Sequence, residues 1–230
     1  MYASEFFVLC HYNFVKKIPF ENISTNETLQ QMNPKWFLIF LLFAFSCESP
    51  AQKAEQKRDY SSFHEEAAAF CKKNKYNEDY YFLIDLSIHS GKNRFFIYDF
   101  DAKKFTKKKL VTHGSCDKIT TNETKWQKAK FSNADNSHCS SKGKYKIGKR
   151  DSSSWGIKVK YWLHGLEESN SNAVNRVVVL HSWGAVADVE VHPKYSPLSW
   201  GCPAVSNEFM EILDEKLQKS KKPVLLWIID

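Results

Sequence analysis

The segment Ser199-Trp200-Gly201-Cys202-Pro203-Ala204-Val205 sets a cysteine directly after a glycine, and upstream of it the apolar run Val177–Leu180 ends in His181-Ser182. A thiol attacks as its thiolate, and a neighbouring imidazole is the commonest means of drawing off the proton, so these residue types together describe a nucleophile and its base. Singly, each has a plainer reading: Cys202 as a small buried side chain, His181 as a satisfied histidine at a strand end. Gly201, without a side chain, lets backbone come close to a substrate carbonyl.

Seventeen residues separate His181 from Ser199. The order His-Ser, spacer, Ser-x-Gly-Cys resembles the signature of the L,D-transpeptidases, bacterial cell-wall cross-linking enzymes with a YkuD-type catalytic domain. Trp200 stands where most members carry a second histidine, and Pro203-Ala204-Val205 replaces their hydrophobic-Asn/Arg segment. Both departures resemble a divergent branch that reads Ser-Trp-Gly-Cys-Pro-Ala-Val, in which Gly165-Leu166-Glu167, Asn172, Asn175 and Arg176 recur before His181 and a His-Gly segment matches His113-Gly114. The resemblance runs roughly from Phe95 to Phe209 and reverses the plain readings of Cys202 and His181.

The resemblance implies acyl transfer through a thioester on peptidoglycan tetrapeptide stems, with Cys202 as nucleophile, His181 as base and release of D-alanine. Ser182 is expected to orient His181 through its backbone carbonyl, Ser199 to hold the turn, and the amides around Gly201 and Cys202 to stabilise the oxyanion. Trp200, His113, Gly114, His164 and Arg176 are expected to shape or brace the substrate cleft. A thiol and an imidazole suffice, so no cofactor is implied. Three rivals stand beside this reading. An L,D-carboxypeptidase or wall hydrolase would use the same pair with water as acceptor. A sortase needs an arginine after its nucleophile, and none follows Arg176. A non-catalytic wall-binding lipoprotein would explain the missing second histidine.

At 230 residues, 43% hydrophobic and 15% aromatic, the chain suffices for one domain with a real core and hardly for two. The predicted organisation is an upstream extension over 1–31, a lipoprotein-type signal peptide over 32–47, a linker over 48–60 and a catalytic domain over 61–230. Met32-Asn33-Pro34-Lys35 gives a basic start, Trp36–Phe45 is a run of ten residues without a charge, and Ala44-Phe45-Ser46-Cys47 ends it on small residues before a cysteine. The run is about half of the roughly 20 residues a spanning helix needs, which favours a secretory signal over a hydrophobic anchor or core helix. Its ending resembles a lipobox, so Cys47 is expected to carry lipid and anchor an exported monomer at a membrane of the cell envelope. Export permits disulfides, leaving Cys116 and Cys139 open to pairing. Cys116, His138 and Cys139 lack metal-ligand spacing, and no metal is expected.

Ser61 or Ser62 is expected to cap a helix running to about Lys75. Tyr80–Leu86, Arg94–Phe100, Lys104–Val111, Lys144–Ile147, Ile157–Leu163, Arg176–Leu180 and Pro223–Ile229 are short runs rich in β-branched and aromatic residues between Gly, Asn, Asp and Ser clusters. They predict a mainly β domain, a sandwich or mixed sheet. Val205–Lys219 has helical periodicity, which predicts that Cys202 sits in a turn immediately before a helix whose N-terminus favours a thiolate. The net charge of +7 includes Lys103, Lys104, Lys107, Lys108 and Lys109 on an expected hairpin, read as a solvated face or a patch for an anionic polymer or lipid. Nucleic acid is not expected as a partner, since the sequence carries no recognition-helix or RNA-binding pattern and the leader argues for export.

Overall fold

The computed structural model describes residues 58–119 and 124–230; the expected leader, Cys47 and most of the linker lie outside the described residues. The element order is α1 (Ser61–Asn74), β1 (Tyr80–Asp85), β2 (Phe95–Asp99), β3 (Lys104–Lys109), β4 (Gly143–Ser152), β5 (Val159–Gly165), β6 (Val179–Ser182), β7 (Ala204–Val205), α2 (Asn207–Lys219) and β8 (Leu225–Ile229), with a 3-10 turn at Glu168–Asn170. The strands form one mixed sheet in the order β3-β2-β1-β8-β4-β5-β6-β7. The pairs β1–β8 and β6–β7 are parallel.

Every residue of β1 and β8 is buried, as expected of central strands covered on both faces. The pleat sends alternate side chains to opposite sides. Phe82, Ile84, Leu226 and Ile228 join Phe209, Met210 and Leu213 of α2 in the main core. Tyr81, Leu83, Leu225 and Trp227 pack on the other side with Ala67 and Cys71 of α1. The α2 stripe repeats at helical spacing, and Ser206 Oγ caps the helix by accepting from Phe209 N–H at 3.1 Å.

Several boundaries differ from the sequence reading. α1 begins after Tyr60, which makes no side-chain cap; Asp59 Oδ1 instead accepts from Ser61 N–H at 2.9 Å. Arg58 and Tyr60, expected in the linker, bond Asp85 at 3.1 and 2.7 Å. β4 runs on through Lys149–Ser152 past a register shift between Ile147 and Arg150, polar residues whose strand is made by pairing with β5 rather than by apolar content. β6 starts at Val179, because Val177 and Val178 N–H donate back to Val174 and Ala173 and close a turn. Val205 belongs to β7, not to the helix. The lysines of β3 lie on an end strand and are mostly exposed, a usual protection of an edge; Lys109 pairs with Asp188.

β3 and β7 end the sheet, but the chain leaving β3 turns along the chain around β7. Thr112 N–H donates to Ala204 O, Ser199 N–H to His113 O and Ser115 N–H to Ser199 O, each at 2.9 Å. Arg94 underlies this closure. Fully buried, its guanidinium donates to Val111 O at 3.0 and 2.8 Å, to Ile88 O at 3.2 Å and to His113 Nδ1 at 2.8 Å. Replacing it by methionine leaves buried carbonyls without donors, so Arg94→Met should lower stability by about 3 kcal/mol or more in chemical denaturation; a loss below about 1 kcal/mol would show that the strip holds without it.

Candidate active site

His181 is the third residue of β6, paired with Lys160 of β5 on one side and Ala204 of β7 on the other. The parallel β6–β7 pairing therefore brings Cys202, two residues before Ala204, to the imidazole strand. His181, Cys202, Ser199, Trp200, Leu198, Trp155 and Trp183 line one cleft of about 350 Å³. The last three have no place in the sequence reading; the tryptophans stand in Ser/Gly-rich loops, where large rings have no core to join, and that was the available signal.

The imidazole is oriented by its own strand. His181 Nδ1 lies 3.0 Å from Ser182 O, which can only accept, so Nδ1 carries the proton and Nε2 is the basic nitrogen. Ser182 is in turn fixed, its buried Oγ accepting from Ile157 N–H at 3.0 Å. Burial holds the His181 pKa below its usual value, with Lys160 acting the same way and the Ser182 carbonyl opposing.

The thiol is held by backbone: Val179 N–H points to Cys202 Sγ at 3.4 Å, and Sγ donates to Val177 O at 3.6 Å. Burial raises the thiol pKa, against the Val179 amide and the charges of Arg176 and Lys160. Both directions favour the uncharged forms, thiol and imidazole. Val177 sits at φ 56°, a strained position for a β-branched residue beside a functional atom.

The turn is tied at several points. Ser199 Oγ donates to Cys202 O at 2.6 Å and accepts from Gly201 N–H at 3.2 Å. Thr112 Oγ1 also donates to Cys202 O, at 3.0 Å, and accepts from Ala204 N–H at 2.9 Å. Thr112 was missed by the sequence reading, although it directly precedes His113-Gly114. Gly201 has φ 106°, and a Cβ there would meet Cys139 O at 2.6 Å; its lack of a side chain serves the packing of the turn. Its N–H, committed to Ser199, is not a free oxyanion donor. β7 stands between Cys202 and the cap Ser206, roughly 13 Å of extended chain, so the expected contact of the thiol with a helix N-terminus is not made.

The remaining expected residues divide. Trp200, 74% exposed, forms cleft wall and stacks on His138 with centroids 4.6 Å apart and planes 7° apart. His138 Nδ1 pairs with Asp117 Oδ1 at 3.0 Å. Arg176 braces from beneath, donating to Ser132 O at 2.9 Å, Ser141 Oγ at 2.5 Å, Ser137 Oγ at 3.2 Å and Cys139 O at 2.6 Å. Cys116 and Cys139 form a disulfide. His113 is corrected from cleft wall to buried brace: Arg94 donates to its Nδ1, and its Nε2 donates to Lys125 O at 2.7 Å. Gly114 packs where a Cβ would meet His138 O at 2.3 Å. His164 faces away from the core on the side of β5 that carries Lys160, four residues and about 13 Å farther along, against Gly148; it does not reach the cleft. Among the described residues no cluster of His, Cys, Asp or Glu could hold a metal ion.

Over residues 54–227 the sequence matches the L,D-transpeptidase catalytic domain family, and the chain belongs to that family. No curated protein matches the sequence significantly. Among solved structures it is similar to the Ldtfm-avibactam carbamoyl enzyme, with 10% identity, 67% of this chain and 50% of that one covered, and a TM-score of 0.40. It is also similar to the helical cell shape determining protein Pgp2 of Campylobacter jejuni, with 13% identity, 66% and 49% covered, and a TM-score of 0.38. The chain thus spans about half the length of these proteins.

Two outcomes follow from the site. Alkylation of Cys202 by iodoacetamide, followed by mass spectrometry against pH, should show a midpoint above the ordinary thiol value of 9.0; a midpoint near neutrality would mean a thiolate–imidazolium pair instead. Ser199→Ala strands Gly201 N–H and removes one donor from Cys202 O, so it should cost about 1–3 kcal/mol of stability, read from the denaturation midpoint.

Proposed function

We propose that the protein is a peptidoglycan L,D-transpeptidase acting through a thioester on Cys202. The observation that carries this reading is the His181 Nδ1 to Ser182 carbonyl contact at 3.0 Å, which leaves Nε2 basic on the strand that flanks the thiol, inside a single cleft. Family membership supports a peptidoglycan substrate, and the resemblance of the motifs points to a tetrapeptide stem ending in D-alanine.

Cys202 Sγ attacks the carbonyl carbon of the bond between the L-centre and D-alanine while His181 Nε2 takes the thiol proton. The C–N bond breaks, and the imidazolium returns the proton to the departing D-alanine amine. An amine of a second stem then attacks the thioester, the C–S bond breaks, and the amine's proton passes through His181 back to sulfur. Cys202 N–H is the backbone donor we assign to the oxyanion, since Gly201 N–H is occupied. Trp200 carries no acid–base group; it acts as wall. The leader at 32–47 supports export and anchoring through Cys47, and the Cys116–Cys139 disulfide is consistent with an oxidising compartment.

The soluble form starting at Glu48, incubated with disaccharide-tetrapeptide and followed by mass spectrometry, should release D-alanine and form a cross-linked dimer, both lost in Cys202→Ala. Release of D-alanine without dimer would identify water as the acceptor, and neither product would favour a binding protein. The pH profile has a definite sign. His181 must be neutral to act, and burial holds its pKa below 6.5, so kcat/KM should rise with pH through a midpoint below that value and be flat across neutrality. A midpoint at or above 6.5 contradicts a neutral resting pair.

A further inference from the structure

The chemistry at Cys202 leaves one built surface unused. Trp126, Pro193, Lys194 and Tyr195 line an open cavity of about 520 Å³, with Trp126 45% and Tyr195 42% exposed. The two ring centroids are 6.5 Å apart, with planes inclined by 36°. Rings this exposed lose little by meeting a ligand and lie in water at a cost unless they do.

The shelf is rigid. Tyr195 stacks on His89 at 5.1 Å, and Gln127 Nε2 donates to Tyr195 Oη at 3.3 Å. Ser90 Oγ donates to Trp126 O. Val191 and His192 N–H both donate to Gly91 O, at 2.9 and 3.0 Å, and a Cβ on Gly91 would meet Lys194 O at 2.0 Å, so the loop that carries Tyr195 is seated directly on the backbone beside His89.

Its chemistry selects the occupant. A pyranose ring offers a face of C–H groups, which the electron-rich face of an aromatic ring attracts, and a rim of hydroxyl and acetamido groups. Here the two rings line the cavity with Pro193 and Lys194, and polar groups stand beside them: Gln127, bonded to Tyr195 Oη, and the ammonium of Lys125, 6.0 Å from the Trp126 ring. The lining holds a lysine and no carboxylate, which suits a neutral or anionic polymer and not a basic one. Position agrees. Tyr195 is three residues from Leu198, a wall of the thiol cleft, at most about 11 Å of chain, so a sugar on the shelf lies within reach of a stem in the cleft.

We propose that Trp126 and Tyr195 form a subsite for the N-acetylated glycan backbone of peptidoglycan, holding the strand whose stem enters the Cys202 cleft. This rests on the reading of the cleft given above. The subsite favours stems still attached to their strand over free stem peptides, and it works by stacking, independently of the thiol.

The test is made on the whole chain carrying Cys202→Ala, so that binding is read without turnover. The probes are N-acetylglucosamine tetramer and stem-free glycan strands, titrated by calorimetry into this protein and into one that also carries Trp126→Ala and Tyr195→Ala. An unchanged melting temperature in the triple variant shows that the shelf change leaves the fold intact. Binding weakened about tenfold or more by the shelf substitutions, and partly rescued by Trp126→Phe with Tyr195→Phe, supports the subsite. No binding to either probe, or equal binding with and without the rings, overturns it, as does a concentration-dependent dimer abolished by the same substitutions. Failure of the cleft reading is distinguishable: glycan binding at the shelf in a chain that with Cys202 intact releases no D-alanine retains the subsite and discards the transpeptidase.

Discussion

The site depends on one constraint, the hydrogen-bonded closure of the sheet between the chain after β3 and the segment from Ser199 to Ala204. A cysteine next to a two-residue strand has little regular structure to position it. Here Cys202 O receives both Thr112 Oγ1 and Ser199 Oγ, and Ala204 pairs with β6 on one side and Thr112 on the other. The thiol is thus framed from both flanks, and Arg94 holds the Thr112 strip from within the core. The cost of burying a guanidinium is met by three carbonyl contacts and an imidazole, and its pKa is still pushed down to about 9 by desolvation, leaving it charged at neutral pH.

The electrostatics of the pair follow from the same enclosure. Desolvation disfavours the charged form of both groups, raising the thiol and lowering the imidazole. An ion pair at rest would need a further charge or a helix terminus at the sulfur, and β7 displaces α2 from that position. On the mechanism proposed above, proton transfer is then coupled to attack, with His181 as general base. Arg176 pulls the thiol the other way while being committed to carbonyls and hydroxyls of the loop beneath.

That loop is the second frame. The Cys116–Cys139 disulfide places Asp117 and His138 side by side, His138 carries the Trp200 indole by stacking, and Cys139 O abuts Gly201 so closely that no other residue fits. Trp200 is thus a cleft ring whose orientation comes from a different part of the chain, which makes the disulfide loop a determinant of the cleft's shape.

Much of this was legible in the sequence. The apolar runs around β1, β2 and β8 and the α2 stripe required burial whatever their partners, because hydrophobic periodicity is a local property. The Cys202, His181 and Ser182 set was readable because order and spacing along the chain survive folding. Roles of His113, His164 and Gly201 were not readable: a histidine after a β run looks the same whether it faces a cleft or an arginine in the core, and only Arg94, nineteen residues away along the chain, decides between them. Thr112, Val179 and the Val177 carbonyl act through positions that residue type does not reveal. The polar end of β4 and the two residues of β7 are strands only because neighbours supply their hydrogen bonds. The sequence by itself determined which groups can react and which faces must be buried. The tertiary structure alone decided which backbone atoms reach the thiol and that burial favours the uncharged form of both thiol and imidazole, since pairing across the closed sheet and desolvation arise between segments distant along the chain.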